Sequence, residues 1–420
     1  MSIILTKKQE EGLKIAIRRY LDGEKYTVIS GYAGTGKSTL VKFITSSLPG
    51  IDPDIDVVYA TFTGKAAQVL MSKGNQNAMT LHRLLYESIP RPDGTFLRKK
   101  RLQIEFKVVV VDEVSMAPKD MMEQLFAYHG IYVICLGDPF QLPPINKDAD
   151  NHLLDNPHIF LDEIMRQAQD SAIIRLSMYI REGKDFRTFP TVSGEVRIIP
   201  HKWQFEDENT TLLQASQIIC GTNAQRYELN GRIRRLLGRG EAPEPEDKII
   251  GLKNHWDDIS EEGNALTNGA IGSIIPGNHV IQTYPKNIAK FKDFRDTDIL
   301  WADFITDDGD TFHSLPIDYK CLTTNNPSLT GAQEYQLGGY NRAVDKKIEQ
   351  YGYSANPKLI IPYNFNYGYA ITCWKSQGSE YPYVLGYDCA WLKKKDPKEY
   401  TKYLYTLVTR AEKAVILVGD

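Results

Sequence analysis

The sequence predicts an α/β fold with more than one domain. Three observations lead there: short continuous β-branched runs, helical stretches between them, and a length of 420 residues, enough for several cores. Residues 6–20 carry apolar positions at helical spacing, with Thr6 as N-cap and Gln9 three residues on. Residues 26–30 form a strand that runs into a Gly-rich turn, and 38–46 read as helix. The runs 57–61, 108–111 and 132–136 suit strands buried on both faces of a parallel sheet.

Two segments break this pattern. Residues 88–105 hold the turn Pro92-Asp93-Gly94 and the basic run Arg98-Lys99-Lys100-Arg101, which predicts an inserted hairpin. Near residue 241 a Pro- and Glu-rich stretch reads as a linker. From 264 to 357 the turns Asn268-Gly269 and Asp308-Gly309 suggest a small β-rich module. The last 60 residues return to α/β character and end on a strand at 414–418.

Composition removes several classes. Apolar residues at 42% and charged residues at 25% exclude wholesale disorder and fibres. No apolar run approaches the roughly 18–20 residues of a membrane helix, and the five cysteines form no C-x-x-C pair. The expectation is a soluble intracellular protein. A net charge of −3 argues against a uniformly basic surface, but residues 91–101 hold five basic side chains against one acidic.

The strongest motif is Gly31-Tyr32-Ala33-Gly34-Thr35-Gly36-Lys37-Ser38, a G-x-x-x-x-G-K-S loop between a strand and a helix. Its glycines let the backbone approach an anion, and the helix N-terminus aims free N–H groups at it. Lys37 would reach the β- and γ-phosphates of ATP, with Ser38 on Mg²⁺ and Thr39 beside it. Asp112-Glu113, at the end of a buried strand, would complete the site: Asp112 behind the metal, Glu113 as base for the attacking water. Gln141, in Gly137-Asp138-Pro139-Phe140-Gln141, suits a sensor of γ-phosphate and water.

With these motifs in order, the chain resembles the superfamily 1B (RecD-like) DNA helicases. Leu5 to Gln9 is similar to the Q motif, in which Gln9 would read adenine. The stretch 60–67, with Thr63 and Lys65, resembles motif Ia, and Thr80-Leu81-His82 resembles motif Ib. Asp112 to Met116 resembles motif II, and 161–167 motif IV with Arg166. Residues 374–380 resemble motif V, with Gly378 and Glu380 near ATP, and 404–411 motif VI with Arg410 as arginine finger. Trp374 stands where the family usually has His.

The resemblance implies two RecA-like P-loop domains with parallel sheets, plus a β-hairpin insertion and an SH3-like β insertion. Domain 1A would span 1–87 and 106–150, the pin 88–105, domain 2A 151–263 and 358–420, and domain 2B 264–357. ATP, bound through Gly34, Thr35 and Gly36 as well, would be hydrolysed with Mg²⁺ between the two larger domains. Thr63, Lys65, Thr80, His82, Trp374 and Lys375 would grip single-stranded DNA, while Phe96, Arg98 and Lys99 would meet duplex at a junction. His82 and Trp374 equally suit packed core. A 5′ to 3′ monomeric motor in a bacterial cytoplasm or phage-infected host is implied, serving replication or recombination, with a single-strand-binding or replication protein as partner and no membrane. An RNA helicase and an accessory subunit of a larger machine are the alternatives.

Overall fold

The computed structural model describes residues 4–72, 74–75, 77–90, 96–143, 150–284, 296–354 and 357–419. The chain divides into two units, one of Met1–Leu85, Arg101–Arg226 and Ile371–Asp420, the other of Tyr86–Lys100 and Tyr227–Ala370.

The first unit holds two α/β sheets. Its six-stranded sheet runs Ala78–Thr80, Val57–Thr61, Val108–Val111, Tyr132–Gly137, Tyr26–Gly31, Ile159–Leu161, with every neighbour parallel. The strands Val108–Val111 and Tyr132–Gly137 are buried at every position, as continuous apolar runs require when helices cover both faces. The helix Lys7–Leu21 has the full capping box expected of Thr6 and Gln9. Its Ala16 packs with Leu40 and Ile44 of the helix Lys37–Ser47 against Ile29, Val108 and Ile134. Each such fully buried aliphatic side chain contributes about 1.5–3 kcal/mol. The sheet extends past residue 150, because Ile159–Leu161 pairs with Ile29–Gly31. That strand has only three residues and exposes Phe160 between two buried ones, so it leaves no apolar run to read.

The second sheet of this unit runs Ala370–Thr372, Gln217–Cys220, Tyr381–Tyr387, Ala411–Val418, Val196–Ile199. Its last four strands pair parallel. The helix Pro397–Val408 starts on an Asp396 cap with Pro at its first turn and buries Tyr403, Leu404, Leu407 and Val408.

In the second unit an antiparallel sheet runs Thr311–Asp318, Thr297–Thr306, Ile271–Gln282, Asp247–Gly251, Phe365–Tyr367. It therefore takes in two strands outside the interval 264–357. Alternating side chains, among them Ile274, Phe304, Phe312 and Ile317, build its core. Gly272 is required where two strands touch: a β-carbon there would lie 2.0 Å from the Ile305 carbonyl oxygen. The stretch near 241, expected as a linker, is pinned instead. Arg234 donates to the carbonyls of Glu241 and Ala242 and forms two 3.1 Å bonds to the buried Asp247 carboxylate. The helix Gly331–Tyr351 also departs from the β-rich expectation. It buries only Leu337, Val344 and Asp345, so no apolar stripe announces it. The hairpin is Tyr86–Pro90 against Phe96–Lys100, two residues upstream of its expected start, and its tip at 91–95 lies outside the described residues. Among the described residues no helix is long and apolar enough to cross a membrane.

Candidate nucleotide and strand site

Parallel pairing sets the candidate residues along one edge. Strands Tyr26–Gly31, Val57–Thr61, Ala78–Thr80, Val108–Val111 and Tyr132–Gly137 all end there, and the loops and first helical turns that follow carry Lys37, Thr63, His82, Asp112, Glu113 and Gln141. Open α/β sheets place ligands at that edge.

A cavity of about 510 Å³ opens beside the phosphate loop. Gly34, Gly36, Lys37, Ser38, Thr39, Asp112, Glu113 and Gln141 line it from the first sheet, and Gly378, Glu380 and Arg410 from the second. The geometry is that of a loop wrapped for an anion. Gly34 and Gly36 have φ of +76° and +79°, left-handed values that glycine adopts without strain. Lys37 Nζ donates to the carbonyls of Gly31 (2.7 Å) and Tyr32 (2.9 Å).

Glu113 also has a left-handed backbone, φ 51°, in a side chain that disfavours it. Its N–H donates to Asp112 Oδ1 at 2.8 Å, which holds the Asp-Glu pair in one orientation. Burial pushes the Glu113 carboxyl above the usual carboxylate range. The Arg410 charge opposes that rise, and Asp112 adds to it. Arg410 is itself buried, its guanidinium donating to Thr406 O and Ser379 O. The Ser38 hydroxyl and Asp112 carboxylate are hard oxygen donors on one cavity wall. They fit Mg²⁺, which takes one or two protein oxygens together with phosphates and would offset phosphate charge there.

Two expected nucleotide contacts sit behind the wall. Gln9 is 1% exposed and does not line the cavity. Its Oε1 accepts from Thr6 N, and its Nε2 donates to Gly36 O at 3.3 Å, so the amide braces the loop. Thr35 is buried, with its hydroxyl donating to Tyr32 O. Arg166 opens the short helix Arg166–Gln169, and its side chain lies outside the described residues.

Residues 5–199 match the AAA domain family model, and residues 367–418 match the UvrD-like helicase C-terminal domain. The chain is 27% identical over 430 residues to the ATP-dependent RecD2 DNA helicase of Deinococcus radiodurans, covering 99% of this chain and 50% of that protein. It is 25% identical over 193 residues to the ATP-dependent DNA helicase dda of Enterobacteria phage T4, covering 43% of each. In both matches the chain is similar to the RecD-like superfamily 1B helicases. A crystal structure of Bacteroides Pif1 bound to ssDNA aligns over 99% of this chain and 92% of that one, at TM-score 0.47 and 17% identity. The chain spans half or less of the length of the curated relatives it matches.

The candidate strand-gripping stretches sit on the same edge of the first sheet and on the short helix Cys373–Ser376 that follows Ala370–Thr372. Thr63 Oγ1 accepts from Ala66 N and Thr80 Oγ1 from Arg83 N, so each hydroxyl caps the helix that follows. A β-carbon on Gly378 would lie 3.1 Å from Thr63 Oγ1, which brings motif V against motif Ia. The half-buried His82 ring stands 6.1 Å from Phe62, and the half-buried Trp374 ring 6.1 Å from Tyr403. Burial, then the Arg226 charge, lowers the affinity of Lys375 for its proton. Lys99 is exposed on the hairpin opposite Glu87, while the side chains of Lys65, Phe96 and Arg98 lie outside the described residues.

Sequence reasoning missed Gln377, Tyr405 and Thr406 as site residues. Each lies inside a motif already recognised, but only the fold brings it to the 138–142 loop: Gln377 Nε2 donates to Leu142 O, and Thr406 Oγ1 accepts from Leu142 N.

Proposed function

We propose that the chain is an ATP-dependent DNA helicase that moves 5′ to 3′ on single-stranded DNA and separates duplex at a junction. One observation carries the reading: Lys37, Asp112 and Glu113 of the first sheet share a single cavity with Arg410 of the second. Lys37 and the loop N–H groups hold the phosphates, Ser38 and Asp112 hold Mg²⁺, and Gln141 orients the attacking water. Glu113, whose raised pKa suits a base, takes that water's proton. Arg410, with Arg166 as a second cation, stabilises charge on the transferred phosphoryl group, and an arginine finger is worth roughly 10³–10⁵ in rate. A finger held by the other sheet ties hydrolysis to closure of the two.

Closure moves DNA when each half grips in turn: Thr63, Lys65, Thr80 and His82 on one, Trp374 and Lys375 on the other. The hairpin 86–100, with Phe96, Arg98 and Lys99, serves as the pin. The deciding experiment is unwinding of matched duplexes bearing 5′ or 3′ single-stranded tails, with ATP turnover followed in parallel. Unwinding from the 5′ tail is expected; unwinding only from the 3′ tail overturns the direction. Normal turnover by Lys37→Ala overturns the site.

A further inference from the structure

The helix that leads into Arg410 bonds to the loops of the first sheet before it ends. Tyr405 is buried within it, and its hydroxyl makes two bonds to the other sheet's loops. It donates to Asp138 Oδ2 at 2.6 Å and accepts from the Ala33 N–H at 2.8 Å. Asp138 is equally buried, and its second oxygen accepts from Phe140 N at 2.9 Å, which shapes the turn that carries Gln141. The Tyr405 ring meets Phe140 edge-on at 5.4 Å. Burial, then the Asp138 charge, holds the phenol proton in place, so the hydroxyl stays a donor. One residue on, Thr406 Oγ1 accepts from Leu142 N at 3.0 Å, and the Thr406 carbonyl accepts from Arg410 Nε at 3.2 Å. Hydrogen bonds at either end, joined by the Tyr405–Thr406 backbone, thus link the phosphate loop to the finger.

We infer that Tyr405 is a positioning residue whose hydroxyl sets Arg410 against the phosphate loop. The inference rests on the ATP hydrolysis proposed above. A phenol in a buried, charge-assisted bond is directional, so it fixes helix register more tightly than ring packing does. Tyr405→Phe keeps the ring against Phe140 and removes both hydroxyl bonds.

The test measures strand-stimulated ATP turnover of the full chain, in single turnover where rates are low. Tyr405→Phe is expected to lower kcat about tenfold or more with ATP KM changed less than about threefold, as displacement of a transition-state group does. In an Arg410→Ala background the same substitution is expected to cost less than about twofold, because no finger remains to be placed. Asp138→Asn keeps an acceptor for the phenol and is expected to retain most of kcat. Thr406→Val, close in shape, removes the neighbouring bond by which the same helix holds Leu142 and is expected to lower kcat in the same direction. An unchanged kcat in Tyr405→Phe, or an equal loss with and without Arg410, overturns the inference. Should Tyr405→Phe not fold, an unchanged kcat in Thr406→Val overturns it instead. Lys37→Ala separates the two readings: turnover that survives it removes the hydrolysis site itself, whereas Lys37-dependent turnover that ignores Tyr405 removes only the positioning role.

Discussion

Gln9 Nε2 lies 3.3 Å from the Gly36 carbonyl oxygen, and a β-carbon built on Gly36 would stand 2.4 Å from that same nitrogen. The first helix therefore bears directly on the loop glycine that opens the Lys37–Ser47 helix. Gly36→Ala meets both this contact and a left-handed backbone, which costs a non-glycine residue about 1–2 kcal/mol. A lower thermal midpoint and weaker ATP binding are expected, read by calorimetry and nucleotide titration. Adding Gln9→Ala is expected to recover part of the stability, since it removes the contact but not the backbone strain.

Glu113 gives a prediction in pH. Its folded pKa is raised, so the folded state holds this proton more tightly than the unfolded chain. The group favours folding when protonated and opposes it once pH passes the folded pKa. Glu113→Gln is therefore expected to melt above wild type at neutral pH. The gap should close as pH falls below the ordinary carboxylate range. The same variant abolishes ATP turnover, and the wild-type rate falls on acidification at a pH above that of an unperturbed Glu. Melting curves and rate profiles against pH check both signs.

The second unit holds a buried carboxylate, Asp247, paired with both Arg234 and Arg239. Asp247 has no exposed surface, and it takes bonds from Arg234, from the Glu244 N–H and from the Tyr369 hydroxyl. Removing one partner leaves a buried charge uncompensated, at about 3–5 kcal/mol. Asp247→Ala is expected to lose that much in urea unfolding. Arg234→Ala combined with it should lose much less than the sum of the two single changes.

Strand contacts separate from packing by affinity. If the Trp374 ring stacks on a base, Trp374→Ala weakens single-stranded DNA binding by about 1–3 kcal/mol, measured by fluorescence anisotropy. Unchanged affinity assigns the ring to packing against Tyr403. Shortening the 86–100 hairpin is expected to cut unwinding far more than translocation, and equal losses would remove the pin.

Much of the nucleotide site was readable before folding, because it depends on local chemistry. Strand-to-helix punctuation marks Gly31 to Ser38, and all-valine burial marks the strand before Asp112. The helix Gly331–Tyr351 was not readable, because its face buries too few apolar side chains to set a period. Nor was the edge strand Ile159–Leu161, which is too short to show one.

Single motifs thus determined which residues line the candidate nucleotide cavity, since backbone wrapping, helix dipoles and carboxylate chemistry act over a few residues. Tertiary structure alone decided how they are held. Gln9 turned from the cavity to brace Gly36, Glu113 took a left-handed backbone, and Tyr405 reached Ala33 and Asp138. Those contacts join segments far apart in the chain. Hydrogen bonds of about 3 Å between such segments exist only after parallel strands have stacked their loops along one edge.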